Sequence, residues 1–172
     1  MQTIQLTEVA ETLRDDSFLV AREGLVPPRD ELPLETLLND LEFVDHFKHS
    51  LAAGIARVLA AYDRQVKTIH YYDPRVCPEE RAGSTLPIDA TIHLLVEVNH
   101  PSPALSVLIL ALDRELTECL KTLPSGRFAN LSFILDVNVL TPEDIRAGRG
   151  HATLLSSLYT PPLKIWGREG EV

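Results

Sequence analysis

The stretch Ile88-Asp89-Ala90-Thr91-Ile92-His93-Leu94-Leu95-Val96-Glu97-Val98 decides the fold. Ile88, Ala90, Ile92, Leu94, Val96 and Val98 are apolar, and Asp89, Thr91, His93 and Glu97 alternate with them, Leu95 being the exception. A period of two puts alternate side chains on one side of a pleated strand, so this segment is expected to bury one face and carry polar groups on the other. A second stretch behaves alike. Leu131, Phe133, Leu135, Val137 and Val139 fall on one side, and Ser132, Ile134, Asp136, Asn138 and Leu140 on the other. Val66 to Tyr72 gives a third run of this period, which Pro74 closes.

Helical patterns surround these strands. From Leu34 through Leu37, Leu41, Val44, Phe47, Leu51, Ile55 and Leu59 to Tyr62, apolar residues recur at three- and four-residue steps. That spacing predicts one long helix with Pro33 in its first turn and Gly54 as its weak point. Ala104 to Thr122 reads as a Leu-rich helix stopped by Pro124-Ser125-Gly126. Thr141-Pro142-Glu143-Asp144 is a helix start, with an N-cap hydroxyl, a first-turn proline and acids near the positive end of the dipole. A helix interrupted at Gly148 and Gly150 is expected to resume through Leu154, Leu155 and Leu158, and Leu163 to Trp166 to form a short terminal strand. Residues 1–33 read as an arm or cover: an amphipathic piece at Val9 to Leu13, a break at Asp15-Asp16, a strand at Phe18 to Ala21, then Pro27-Pro28. Residues 34–172 make the main domain. Helix, strand, loop, strand, helix, strand, helix and short strand imply an α/β (α+β) fold, a mixed β-sheet covered by helices.

The 172 residues are 45% hydrophobic and 24% charged, with a mean hydropathy of +0.02, which suits one folded domain and excludes collagenous or disordered classes. Lys plus Arg total 16 against 25 Asp plus Glu, a net charge of −9, and no basic block interrupts this balance. A broad nucleic-acid surface is therefore not expected. Two cysteines, Cys77 and Cys119, form no CxxC pair, which points to a reducing, cytoplasmic home. The N-terminus carries no basic-then-apolar leader, and the longest apolar run, Val107 to Leu112, is too short to span a bilayer, so no membrane association is expected.

If the two-faced strands are neighbours, Asp89, Thr91, His93 and Glu97 share a face with Asp136 and Asn138. Such an oxygen-rich cluster suits a divalent cation, especially one also held by nucleotide phosphates. Ordinary cross-strand pairing on a solvated sheet face accounts for the same pattern. His46 and His49, with Asp45 beside them and His70 on the next strand, have metal-ligand spacing but lack the third ligand of a helical zinc motif, so they read as surface histidines. His151, behind Gly148-Arg149-Gly150 and near Arg146, suits an anion or a plain helix break. Ser84 lies in no nucleophile elbow and Cys77 has no assigned base. Trp166 and Tyr71-Tyr72 read as core or interface anchors.

Ala90 to Val98, Leu105 to Leu120 and Val137-Asn138-Val139-Leu140-Thr141-Pro142-Glu143-Asp144-Ile145, preceded by Val44 to Tyr72 and followed by Lys164-Ile165-Trp166-Gly167-Arg168, resemble the polymerase-β-like nucleotidyltransferases over residues 44 to 168. That family reads Ser-Asp-Ile-Asp-Leu-Leu-Val on its second strand and a further Asp on its third. Here those acidic positions correspond to Thr91, His93 and Asn138, and the Gly-Ser that follows the family's first strand is Tyr72-Asp73. Gly83-Ser84 lies too close to the second strand to replace it. Active members use three carboxylates to bind two metal ions. The resemblance therefore implies a nucleotidyltransferase-like domain without catalytic or metal-binding residues, acting as a binding or interaction module with Thr91, His93, Asn138 and Glu97 as ligand-site candidates and no cofactor. The alternative it implies is a divergent enzyme in which Asp89, His93 and Asp136 hold Mg2+ or Mn2+ with a nucleoside triphosphate. Small active relatives often work beside a helical partner, which the resemblance then implies for the enzyme reading, and the non-catalytic reading implies a homo-oligomer or a protein partner.

Overall fold

The computed structural model describes residues 5–25, 32–73, 90–158 and 160–168. Its sheet comprises β1 (Val66–Tyr72), β2 (Ile92–Val98), β3 (Leu135–Leu140) and β4 (Leu163–Gly167), in the order β3-β2-β1-β4. β1 pairs antiparallel with both β2 and β4, whereas β2 and β3 run parallel. A parallel pair needs a crossover, supplied by the helix α4 (Pro103–Lys121). The mixed sheet with its helices is the α+β fold expected, and β1 has the bounds that its alternation predicts.

Helices α1 (Leu6–Gly24), α2 (Leu34–Leu37) and α3 (Leu41–Tyr62) precede the sheet. The single helix expected from Leu34 is broken, because Asp40 is an N-cap whose carboxylate accepts from the amides of Glu42 and Phe43. The strand expected at Phe18 to Ala21 and the break at Asp15-Asp16 are likewise corrected. Both lie inside α1, whose Ala10 and Ala21 are fully buried, with Leu13 and Phe18 packed against the same core. Adjacent acids on an exposed helix face do not stop a helix when the opposite face is held by packing. Ser102 caps α4, and Ser125 caps the short α5 (Gly126–Ala129), which falls where only a stop was expected. Thr141 and Asp144 form a reciprocal capping box on α6 (Pro142–Ala147), as the sequence motif predicts. After Gly148 in the left-handed conformation (φ 58°), a 3-10 helix covers Gly150–Ser156, in place of the resumed α-helix.

The core lies between one sheet face and the helices. Ile69, Ile92, Leu94 and Val96 meet Phe43, Phe47, Leu51, Ile55 and Leu59 of α3 and Leu108, Leu112 and Leu116 of α4, and α1 packs over both helices. The Phe18 and Phe47 rings stack at 4.6 Å, and Phe128 of α5 meets Phe47 edge-on at 6.4 Å. Burying each such ring contributes about 1.5–3 kcal/mol. On the opposite face a smaller cluster of Leu95, Leu140 and Ala152 joins the 3-10 helix to the sheet. That leaves the rest of this second face to polar side chains. Among the described residues no helix is long and apolar enough to cross a membrane.

Candidate functional site

The parallel register of β2 and β3 sets His93 opposite Asp136, Leu95 opposite Asn138 and Glu97 opposite Leu140. Asp113 of α4 anchors the start of β3. Its Oδ1 accepts from the amides of Ile134 and Leu135, both at 2.8 Å. With that register held, Asp136 Oδ2 lies 2.8 Å from His93 Nδ1. The other Asp136 oxygen accepts from Asn138 Nδ2 at 3.5 Å, and the same Asn138 nitrogen donates to the Tyr72 hydroxyl at 3.5 Å. The Tyr72 and His93 rings are tilted against one another at 5.4 Å. Burial, and then the negative charge of Asp136, push the Tyr72 phenol above its ordinary 10.0, so it stays protonated and can donate. The His93 side chain is 14% exposed and that of Asp136 42%. An ionised carboxylate only accepts, so Nδ1 is the donor of this pair.

This group borders a cleft of about 800 Å³ at the end of the sheet. Tyr71, Tyr72 and Asp73 at the end of β1, His49 of α3, His151 of the 3-10 helix and Leu163 of β4 contribute to its lining. His49 meets Tyr71 edge-on at 5.7 Å, which carries the cleft around the end of β1.

The structure thus brings His93, Asp136 and Asn138 together, and separates the other candidates. Asn138 was expected as the third member of the set, but it is Asp136 that faces His93. A parallel pair offsets the two runs by the register alone, which sequence does not give. Thr91 is only 7% exposed, just before β2, and so is a buried group. Glu97 lies further along β2 and turns to His70, whose Nδ1 approaches its Oε1 to 3.5 Å without forming a hydrogen bond. Burial holds the His70 imidazole below its ordinary 6.5, partly countered by Glu97. His70 pairs with Leu95 on the polar face, opposite the face that packs on α3, which carries His46 and His49. His46 and His49 line an exposed groove on α3 with Glu42 and Asp45. Arg149, an anion candidate, is paired with Glu143 at 3.0 Å and Asp144 at 3.5 Å. Trp166 lies under the Arg168 guanidinium at 5.4 Å. Asp89, Cys77, Gly83 and Ser84 lie outside the described residues.

Among the described residues no group of three His, Cys, Asp or Glu side chains converges closely enough to hold a metal ion. One carboxylate and one imidazole already bonded to each other do not fit a two-ion centre. Tyr72 and Asp113 are the participants that sequence reasoning missed. Tyr72 read as an anchor, and Asp113 as one of several late charges on a helix.

Fold and site define an α+β protein with a His–Asp pair on the wall of an open cleft. No family model, curated protein or solved structure matches this chain.

Proposed function

We propose that the chain is a nucleotidyltransferase-like scaffold that does not transfer nucleotides and serves as a cytoplasmic binding or interaction module. The order helix, β1, β2, α4, β3 and the capped turn at Thr141 support the scaffold reading. The observation that carries the non-catalytic reading is the His93–Asp136 contact of 2.8 Å. Where three carboxylates would be needed to offset a triphosphate and its metal ions, the corresponding positions are Thr91, His93 and Asn138, and the carboxylate beside them, Asp136, is bonded to imidazole. Incubation with labelled ATP, CTP, GTP or UTP and Mg2+ or Mn2+ is expected to give no transfer to protein, RNA or small acceptors. Robust metal-dependent transfer overturns the proposal. Self-association or a helical protein partner belongs to the same reading, and sedimentation over a range of concentrations tests the former.

A second reading is favoured by the 42% exposure of the Asp136 side chain, which leaves that carboxylate acceptor positions beyond its bond to His93. In it a divergent nucleotidyltransferase uses Asp89, His93 and Asp136 with Mg2+ or Mn2+. It requires that Asp89→Asn or Asp136→Asn abolish a metal-dependent activity, and it fails if wild type and both variants behave alike.

A further inference from the structure

The charge and shape of the cleft say more than that it binds something. Its described lining contains two carboxylates, Asp73 and Asp136, and three histidines, His49, His93 and His151, but neither lysine nor arginine. The Asp136 side chain is 42% exposed, so after bonding His93 through one oxygen and Asn138 through the other it keeps a further acceptor position on each. Beside it Tyr72 presents a ring, and its phenol is neutral because burial and Asp136 both oppose ionisation. Leu154, Pro161, Pro162 and Leu163 supply an apolar wall. A free phosphate would meet the Asp136 carboxylate and no lysine or arginine among the described lining. A cation next to a short apolar stem meets a carboxylate, an aromatic face and greasy walls at once.

We infer that the cleft takes a ligand ending in a primary amine or guanidinium, held by Asp136 and the Tyr72 ring, with its aliphatic stem against Leu154 and Leu163. The inference rests on the binding-module reading. The same chemistry comes from a small alkylamine or from an arginine or lysine side chain of a protein partner.

The test is calorimetric titration of the full chain at pH 8 and low salt, where an ordinary imidazole adds little positive charge. The probes are N-acetyl-arginine amide, its neutral citrulline counterpart, agmatine, an arginine-containing pentapeptide, inorganic phosphate and UMP. The arginine amide is expected to bind at least about tenfold tighter than the citrulline compound, and phosphate and UMP not to bind. Asp136→Asn and Tyr72→Leu should each weaken it by about fivefold to tenfold, with Glu118→Gln on the far side of α4 unchanged. A pentapeptide tighter than agmatine identifies a protein partner as the source, and the reverse identifies a small amine. Equal binding of the arginine and citrulline compounds, indifference to Asp136→Asn, binding of phosphate or UMP alone, or no binding of any cation overturns the inference. The nucleotidyl-transfer assay on the same preparation separates the two claims. No transfer with no cation binding sinks only the cation, whereas transfer sinks the module reading itself.

Discussion

Asp136 and His93 face one another across the parallel β2–β3 pair, with Oδ2 2.8 Å from Nδ1. The imidazole is mostly buried and the carboxylate half-exposed, so the bond satisfies a donor that has little access to water. Asp136→Ala is expected to destabilise the fold by about 1 kcal/mol, and Asp136→Asn, which keeps an acceptor, by less. Urea unfolding of the two variants decides the point. If alanine and asparagine cost the same, the contact contributes nothing of its own.

Asp113 has a larger structural role than its exposed neighbours on α4 suggest. One of its oxygens accepts two backbone amides at the entrance to β3, and Ile134 beside it is 1% exposed. Charge-assisted bonds to amides are the strong ones, and removing the acceptor orphans two donors. Asp113→Ala should therefore cost about 2–4 kcal/mol, several times the cost of Glu118→Ala on the solvated face of the same helix. Equal denaturation midpoints for the two variants would contradict this.

The contrast between Asp113 and Thr141 shows what a linear reading reaches. The capping box at Thr141 and Asp144 lies within four residues, and short-range geometry makes it legible. β1 was legible too, because alternation and a closing proline are local signals. Asp113 bonds residues 21 and 22 positions away, and nothing near it in sequence announces that. The same distinction explains the helices. Asp40 breaks a pattern that apolar spacing continues through, and α1 hides its regularity under Asp15 and Asp16, since its stability comes from α3 and α4. For the candidate site, facing was readable from the period of two, so His93, Asp136 and Asn138 were placed on one side. The register that selects Asp136 over Asn138 as the neighbour of His93 is a tertiary quantity.

Burial depresses His70 below 6.5, with Glu97 raising it and Lys164 lowering it further. The unfolded chain therefore takes up this proton more readily than the native one, and stability falls with acid. The contribution is intact above about pH 6.5 and is lost as the pH drops through the depressed native value. Melting temperatures between about pH 7.5 and 5 should decline less steeply in His70→Asn than in wild type, and more steeply in Glu97→Gln, which removes the compensating charge. A Glu97→Gln profile shallower than wild type would be the wrong sign.

Asp144 lies below its ordinary 3.8 because the Thr141 hydroxyl and amide both donate to it. Its contribution is present above about pH 4 and lost as the pH falls through the lower native value. Thr141→Val deletes the hydroxyl donor and keeps the amide, so the variant should melt lower at neutral pH and lose less on acidification. Parallel acid titrations of thermal stability from about pH 5 to 2.5 test this. Curves of identical slope would mean that the hydroxyl bond does not form in solution.

Gly54 of α3 reports on whether α1 belongs to the folded unit. A Cβ at this position would stand 2.6 Å from Cδ2 of Leu13, so the two helices touch where the glycine leaves space. The atom in the way is the tip of a flexible side chain, and alanine is a better helix former than glycine by about 1 kcal/mol. Gly54→Ala should therefore be close to neutral, the helical gain offset by turning Leu13 aside. Leucine cannot be accommodated by one rotamer change. Gly54→Leu should cost about 1–3 kcal/mol and push α1 outward. Amide hydrogen exchange would then accelerate in α1 more than in β2, because α1 is held by α3 and α4 and makes no sheet bonds. Were α1 only loosely apposed to the domain, Gly54→Leu would leave both the melting temperature and the α1 exchange rates unchanged.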